Sequence, residues 1–154
     1  MSLSTDSPPL SILLFEREPR VAAWIGDLLT AHGVRTQTMR SLADVIKATR
    51  KRTPGAIIVD FASAGPLDDP HSRMGPDHTA RVLRQIYPDL CIIVLSVPLD
   101  IQMEELCREL DVRLITKPLK SADLLSALTN CGLPTLTSER SHTRGHVVSG
   151  ATLR

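Results

Sequence analysis

The sequence lacks a strong net charge. Its 154 residues contain 18 Lys and Arg against 17 Asp and Glu, which leaves a formal charge of +1 at pH 7. So small an imbalance gives no general attraction for nucleic acid or for an acidic membrane surface. The densest basic run falls at the end of a predicted helix, where cations suit the negative end of the helix dipole: Lys47, Arg50, Lys51 and Arg52. We therefore expect neither nucleic acid nor a membrane among the partners of this chain.

Long apolar runs are also missing. No run approaches the roughly 20 residues that a transmembrane helix needs. No signal peptide precedes the first apolar segment, so the sequence predicts a cytoplasmic protein. Hydrophobic residues nevertheless make up 42% of the chain, which suits one compact domain with a substantial core.

Cysteine is scarce and irregularly spaced. Cys91, Cys107 and Cys131 are far apart, and the first two fall inside apolar segments. This pattern predicts reduced core thiols rather than a disulfide framework or a zinc site. Four other potential ligands lie in or beside a polar loop without metal-ligand spacing, and we expect no metal site there: Asp68, Asp69, His71 and His78.

The stretch Ala56–Asp60 is the centre of the sequence. Four small or branched apolar residues in a row, ending in a carboxylate, are typical of a buried strand. In an open parallel sheet, ligands bind just beyond the carboxyl ends of the strands. Asp60 therefore stands where such a fold places its chemistry.

Four further strands and five helices alternate with this strand. The other predicted strands are Ser11–Phe15, 34–39, Cys91–Ser96 and 112–116. Pro19 opens the first helix and Gly33 ends it, while the later helices begin at Ser41, Asp77, Asp100 and Ser121, each expected as a cap, and Gly132 ends the last. Residues 11–133 then form one domain, preceded by a flexible segment 1–10 and followed by a disordered tail or linker, 134–154. With no second domain in sight, the chain is a single-domain protein or a piece of a longer one.

The apolar periodicity of the helices predicts which side chains face the core. The predicted inward residues of the third, fourth and fifth helices are Val82, Leu83 and Ile86; Ile101, Leu106 and Leu110; and Leu124, Leu125 and Leu128. Trp24 on the first helix is expected in the core or at its edge.

Short connections and right-handed crossovers favour an α/β fold, a doubly wound five-stranded parallel sheet with helices on both faces. In the strand order 2-1-3-4-5, the switch point lies between the first and third strands. Glu16 and Asp60 meet there, and Ser96 and Lys117 arrive from the fourth and fifth strands. Each alone has a simpler reading: Asp60 as a cap, Ser96 as a turn hydroxyl, Lys117 as a mere ion-pair partner.

These strand ends resemble the receiver domain of two-component response regulators, and they are similar to the single-domain chemotaxis regulator, over about residues 11–131. The matching motifs are IIVD, IIVLS and ITKPL. The resemblance implies the flavodoxin-like receiver fold, with Asp60 as phosphoacceptor, Ser96 as the hydroxyl residue and Lys117 as the conserved cation of the family. It also implies Mg²⁺ held by Glu16, Asp60 and the backbone carbonyl of Ala62.

The same resemblance implies the partners. A sensor histidine kinase or phosphotransfer protein phosphorylates Asp60, and the fourth helix, fifth strand and fifth helix contact a downstream protein, with a homodimer as another option. The function is then a phosphorelay switch rather than an enzyme. An enzyme of flavodoxin type is disfavoured because the sequence lacks a phosphate-cradling glycine loop.

The sequence departs from the family pattern at three places. Arg17 replaces the acid that binds the metal directly, and its guanidinium either fills the metal position or points to solvent; Glu18 is a substitute if the loop shifts. Leu114 replaces the aromatic residue expected three positions before Lys117, and the loop after Asp60 is long. The alternative function is therefore a pseudo-receiver, a constitutive protein-interaction domain that is not phosphorylated.

Overall fold

A computed structural model describes residues 11–60, 76–98 and 100–132, with the backbone alone described for 76–79. Five parallel strands form one sheet in the order β2-β1-β3-β4-β5. The strands are β1 (Ser11–Phe15), β2 (Arg35–Thr38), β3 (Ala56–Asp60), β4 (Cys91–Ser96) and β5 (Arg113–Thr116). The helices are α1 (Pro19–Ala31), α2 (Leu42–Lys51), α3 (Pro76–Ile86), α4 (Ile101–Leu110) and α5 (Ser121–Asn130). The predicted fold class and strand order are confirmed.

The sheet separates two hydrophobic cores because successive side chains of a strand point to opposite faces. One core joins the sheet to α1 and α5, with Ile12, Ile58 and Ile93 fully buried in it. The other joins the sheet to α2, α3 and α4, with Ile57, Val59 and Val94 fully buried. β3 and β4 are buried along their whole length, whereas β2 is a largely exposed edge strand, as its weaker pattern predicts.

Several helix ends carry the predicted caps. The Ser41 hydroxyl accepts a hydrogen bond from the Asp44 amide at 3.1 Å, and Asp100 accepts one from the Met103 amide at 3.1 Å. Gly33 and Gly132 follow α1 and α5 with φ of 76° and 94°, a left-handed conformation that glycine adopts without strain.

Two predicted caps are wrong. Lys120 is the N-cap of α5 without a side-chain bond, and Ser121 is the first helical residue. α3 begins at Pro76, so Asp77 lies inside the helix. Proline is well suited to the first turn because the missing N–H has no partner there anyway.

Some helical residues that were predicted to face the core are exposed. Ile86 is 47% exposed and Ile101 is 64% exposed, so neither faces the core, and Trp24, 39% exposed, is an exposed residue as well. Leu83, Leu106, Leu124, Leu125 and Leu128 are buried as predicted.

The prediction of three reduced thiols is wrong as well. Cys91 and Cys131 form a disulfide, and Cys107 is a free, buried thiol. The two partners are 40 residues apart in sequence, yet the fold brings their Cα atoms to 5.6 Å, within the range that a disulfide spans.

Some predictions lie outside the described residues. These are the flexible segment 1–10, the loop 61–75 with Ala62, Asp68, Asp69 and His71, the side chain of His78, and the tail 134–154. Within the described part of the chain, no helix is long and apolar enough to span a membrane.

Candidate functional site

The carboxyl ends of four strands place the predicted site residues along one edge of the sheet. Asp60 ends β3, Ser96 ends β4, and Glu16 and Lys117 directly follow β1 and β5. The parallel register aligns these ends, and the Lys117 amide continues it by donating to the Ser96 carbonyl at 2.8 Å. The structure therefore brings the predicted residues to the same edge of the sheet.

The alternation of side chains decides which of the four can meet. Ile58, two residues before Asp60, belongs to the core under α1 and α5, as do the residues two positions before Glu16 and Lys117. The residue two positions before Ser96 belongs to the opposite core. Because the period of a strand is two, Glu16, Asp60 and Lys117 point to one side, where they form a cluster.

The Lys117 ammonium lies between the two carboxylates. Its Nζ donates to Glu16 Oε2 at 2.9 Å and to Asp60 Oδ2 at 2.5 Å. The Glu16 and Asp60 side chains are 0% and 1% exposed, whereas that of Lys117 is 25% exposed. The cluster is thus buried on the carboxylate side and reaches solvent through the lysine.

Backbone geometry fixes the Glu16 carboxylate as well. Its Oε1 accepts a hydrogen bond from the Glu18 amide at 3.0 Å while Oε2 accepts from Lys117. Glu18 is the N-cap of α1, and its side chain accepts from the Arg20 amide. The turn between β1 and α1 therefore holds Glu16 inward and leaves Glu18 exposed.

Burial and proximity shift the proton affinities in this cluster. Burial raises the pKa of Glu16, and the neighbouring Asp60 adds to this, which outweighs the lowering by Lys117 and the Glu18 amide. Burial alone lowers the pKa of Lys117, but its hydrogen bonds to Asp60 and Glu16 and their charges raise it above its usual value. Lys117 therefore stays protonated throughout the neutral range.

The oxygen atoms of the cluster suit a further cation. Two carboxyl groups and one ammonium share a nearly buried site. Oxygen ligands of this type are those that Mg²⁺ prefers, and Mg²⁺ needs few of them because it retains waters. Among the described residues no group of three or more His, Cys, Asp or Glu side chains gathers, so the fit rests on Glu16 and Asp60.

Ser96 is buried at the same edge but turns elsewhere. It is 3% exposed, and its hydroxyl donates to the Val97 carbonyl at 3.4 Å, a long bond. A hydroxyl held so weakly is free to rotate toward another acceptor or donor.

Two of the three departures from the family pattern, Arg17 and Leu114, lie among the described residues, and their surroundings differ. Arg17 is exposed, unlike the buried carboxylates of Glu16 and Asp60. Leu114 is half-buried and packs against the core under α2, α3 and α4. Arg17 therefore differs from the cluster in its exposure, and Leu114 lies on the opposite face of the sheet.

Sequence reasoning missed an apolar notch beside Lys117. It has a volume of about 280 Å³ and is lined by Arg20, Val21, Trp24, Lys117, Pro118 and Leu119. The Lys117–Pro118 peptide bond is cis. The spacing of Arg20, Val21 and Trp24 on one side of a helix was a usable signal, but a lone tryptophan in an apolar stripe reads first as core.

Comparison with known proteins identifies the fold. The sequence matches no family model and no curated protein. Among solved structures, a response regulator receiver domain protein from Clostridium thermocellum aligns with a TM-score of 0.66 and 19% identity, covering 85% of this chain and 97% of that one. The signal receiver domain of an HD domain-containing protein from Pseudomonas fluorescens Pf-5 aligns with 0.69 and 20%, covering 92% and 98%.

A longer protein contains the same unit. NtrX from Brucella abortus aligns with a TM-score of 0.67 and 20% identity over 86% of this chain, which corresponds to 29% of NtrX. At identities near 20%, these alignments establish a shared fold. The chain therefore has the fold of a response regulator receiver domain.

Proposed function

We propose that this chain is a phosphorelay receiver in which Asp60 accepts a phosphoryl group from a histidine kinase or a phosphotransfer protein. The observation that carries the proposal is the Lys117 ammonium bonded at once to Asp60 and Glu16. A buried carboxylate beside a fixed cation is the arrangement that phosphoryl transfer to an aspartate needs.

The chemistry follows from the positions of these groups. An Asp60 carboxylate oxygen forms a bond to phosphorus while the bond from phosphorus to the donor histidine nitrogen breaks. The histidine nitrogen keeps the bonding electrons. Lys117, which is protonated at neutral pH, offsets the charge on the phosphoryl oxygens, and the weakly held Ser96 hydroxyl supplies a hydrogen-bond donor.

Mg²⁺ belongs to the same proposal. Glu16 and Asp60 would hold it, together with the Ala62 backbone carbonyl that the family resemblance implies. When bound, the ion supplies positive charge to the phosphoryl oxygens.

The output of the switch is a change in partner binding rather than turnover of a substrate. In this structure Lys117 binds both carboxylates, and an acyl phosphate on Asp60 would compete for it. The phosphoryl oxygens would also accept a hydrogen bond from Ser96 at the end of β4. Both residues begin segments that lead into α4 and α5. We therefore propose that α4, β5 and α5 present the surface that a downstream partner, or a second copy in a homodimer, distinguishes.

A second candidate function has specific support. Arg17 stands where the family resemblance places a metal-binding acid, and Leu114 replaces the aromatic residue associated with the switch. A domain without metal binding and readout is a pseudo-receiver that binds its partner constitutively.

Intact-mass spectrometry after incubation with a small phosphodonor and Mg²⁺ separates these functions. We expect an adduct of one phosphoryl group on the unaltered chain and on Asp27→Asn, an exposed control. Asp60→Asn should abolish the adduct. No adduct at saturating Mg²⁺ would reject the phosphorelay function and leave the pseudo-receiver, and recovery of the adduct in Arg17→Asp would identify Arg17 as the obstacle.

A further inference from the structure

The Cys91–Cys131 disulfide lies at the edge of the sheet opposite the acidic cluster. Cys91 is the first residue of β4, whereas the cluster gathers beyond the last residues of the strands. Cys131 is the C-cap of α5. The bond therefore joins the end of α5 directly to an interior strand, and its loop encloses α4, β5 and α5.

The turn that ends α5, residues 129–132, has little packing of its own. The buried residues of the helix end at Leu128, and Asn130 and Gly132 are exposed. Cys131 is half-buried against the core and is the residue that ties this turn to the sheet. Helix ends with few buried contacts open at low free-energy cost, so the covalent link decides how firmly this turn is held.

Cys131 can be reached from solvent, whereas Cys91 is buried behind it. Cys91 and Cys131 line an open groove of about 800 Å³ that runs along β5 and α5. Cys131 is the more exposed of the pair. Cys107 provides the contrast, since it is 3% exposed and burial, with a contribution from Asp100, raises its pKa to about 11.

We propose that Cys91 and Cys131 are a reversible thiol–disulfide pair whose oxidation fastens the final turn of α5 to the start of β4. The proposal does not depend on phosphorylation of Asp60. It assigns a redox function to two residues that the acidic cluster does not use.

The exchange is balanced by a dithiol protein reductant. A donor thiolate attacks the more exposed sulfur, Cys131 Sγ, and forms a mixed disulfide while Cys91 leaves as a thiolate and takes up a proton. The second donor thiol then attacks the donor sulfur and releases Cys131. The pair gains two electrons and two protons, and the donor becomes a disulfide.

The consequence is local. With the bond closed, the Cys131 and Gly132 amides keep their bonds to the carbonyls of Ala127 and Thr129 at 3.2 and 3.0 Å. With the bond open, this turn loses its covalent anchor to β4. Oxidation therefore controls how firmly the end of α5 is held to the sheet.

Hydrogen exchange on the full chain, equilibrated in oxidised and then reduced glutathione buffers, tests this proposal. Alkylation and intact mass should show two additional reactive thiols in the reduced state. We expect the amides at the end of α5 to exchange about tenfold faster once the pair is reduced, because opening of that turn no longer requires the sheet to open. Amides of α2 that exchange by local opening should not change, because α2 is outside the disulfide loop.

Two variants make the test decisive. Cys107→Ala should preserve the redox response, and Cys91→Ala/Cys131→Ala should exchange at the fast rate in both buffers. Equal protection of the α5 end in oxidised and reduced protein would overturn the proposal. So would a pair that neither glutathione nor a dithiol such as dithiothreitol reduces in the folded protein, because a bond that stays closed cannot act as a switch.

Discussion

At the scale of the residue, Lys117 balances two opposing effects. Burying a carboxylate costs several kcal/mol unless a partner offsets it, and here one ammonium serves both Glu16 and Asp60. The raised pKa of Glu16 shows that burial and the neighbouring Asp60 outweigh the help it receives. Lys117 thus holds the cluster together, but it does not offset the whole cost of burying the Glu16 carboxylate beside Asp60.

Replacing Lys117 by Met should destabilise the protein at neutral pH. The change removes the shared cation and leaves two buried carboxylates, which costs about 3 kcal/mol by comparison with other broken buried pairs. The raised pKa of Lys117 means that its contribution is complete below pH about 10.4 and is lost as pH rises through the higher folded-state value. Urea unfolding at pH 7 measures the loss.

Lys120→Met is the matched control for this change. Lys120 is exposed at the start of α5, so its replacement should leave the unfolding midpoint nearly unchanged. The loss in Lys117→Met should also shrink toward pH 4, because Glu16, whose pKa is raised, takes up a proton and then no longer needs the cation. An equal loss at both pH values would show that lysine packing, not charge, explains the effect.

Glu16→Gln should have the opposite pH dependence. A carboxyl group whose pKa is raised in the folded state stabilises the protein fully below its unfolded pKa of about 4.3, and this contribution is lost as pH rises through the folded value. Glutamine mimics the neutral form and its oxygen still accepts from Lys117, while its NH2 group replaces the oxygen that accepts from the Glu18 amide, a loss that is the same at either pH. We therefore expect the change in the free energy of unfolding to be more favourable at pH 7 than at pH 4 by about 1 kcal/mol.

Thermal or urea unfolding across this pH range checks the sign. Glu105→Gln, on the exposed face of α4, removes a carboxylate of the same type and should show no such pH-dependent gain. A Glu16→Gln variant that is more destabilised at pH 7 than at pH 4 would mean that the bond to Lys117 dominates over burial and repulsion.

At the scale of the element, Arg84 connects the end of α3 to the end of α4. Its guanidinium donates at 2.8 to 3.4 Å to carbonyls in the α3–β4 turn and at the C-terminus of α4: Tyr87, Pro88, Leu90, Leu110 and Asp111. An arginine has five N–H donors in a fixed fork, so one side chain can satisfy several carbonyls at once. These carbonyls lie where helices end and lack partners within the helix.

Arg84→Met should therefore loosen the junction of α3, β4 and α4. We expect a loss of about 2 kcal/mol in the free energy of unfolding, because charge-assisted bonds are lost while water can reach some of the carbonyls. Arg84→Lys should recover only part of it, since an ammonium cannot reproduce the planar fork.

Arg81→Met is the control for Arg84→Met. Arg81 lies one turn earlier on α3 and forms an exposed bidentate bridge to Glu109 on α4. Exposed ion pairs contribute little and are screened by salt. A midpoint shift in Arg81→Met as large as that in Arg84→Met would show that the connection between the helices, rather than the turn carbonyls, is what matters.

Helix faces were harder to predict than strands for a geometric reason. In α4 the inward stripe runs through Met103, Leu106, Cys107 and Leu110, whereas Ile101 is two residues before Met103 and points away. Among the described side chains of α3, Ala80 and Leu83 are buried, and Ile86 lies on the adjacent stripe. An apolar residue near a helix end fits more than one stripe, and only the neighbouring element decides which one is buried.

At the scale of the whole molecule, the sequence predicted what parallel topology dictates. Asp60 and Lys117 end different strands, and any doubly wound sheet in this order brings their ends to one edge. The Cys91–Cys131 pair could not be predicted by this argument, because it joins the start of a strand to the end of a helix 40 residues away. Composition alone indicated a reducing compartment, and spacing says nothing about distance in space.

The disulfide also bears on the stability of the whole domain. A cross-link between residues 40 apart restricts the unfolded chain, and loop-closure entropy for that separation corresponds to about 4 kcal/mol. Reduction should lower the free energy of unfolding by that order and increase its dependence on urea, because the reduced unfolded chain exposes more surface. Urea titrations with and without dithiothreitol measure both effects. Cys107→Ala should respond to the reductant like the unaltered chain, whereas Cys91→Ala/Cys131→Ala should not respond. An unchanged midpoint on verified reduction would mean that the reduced domain regains elsewhere what the cross-link contributes, and that the edge formed by α4, β5 and α5 is held by its packing alone.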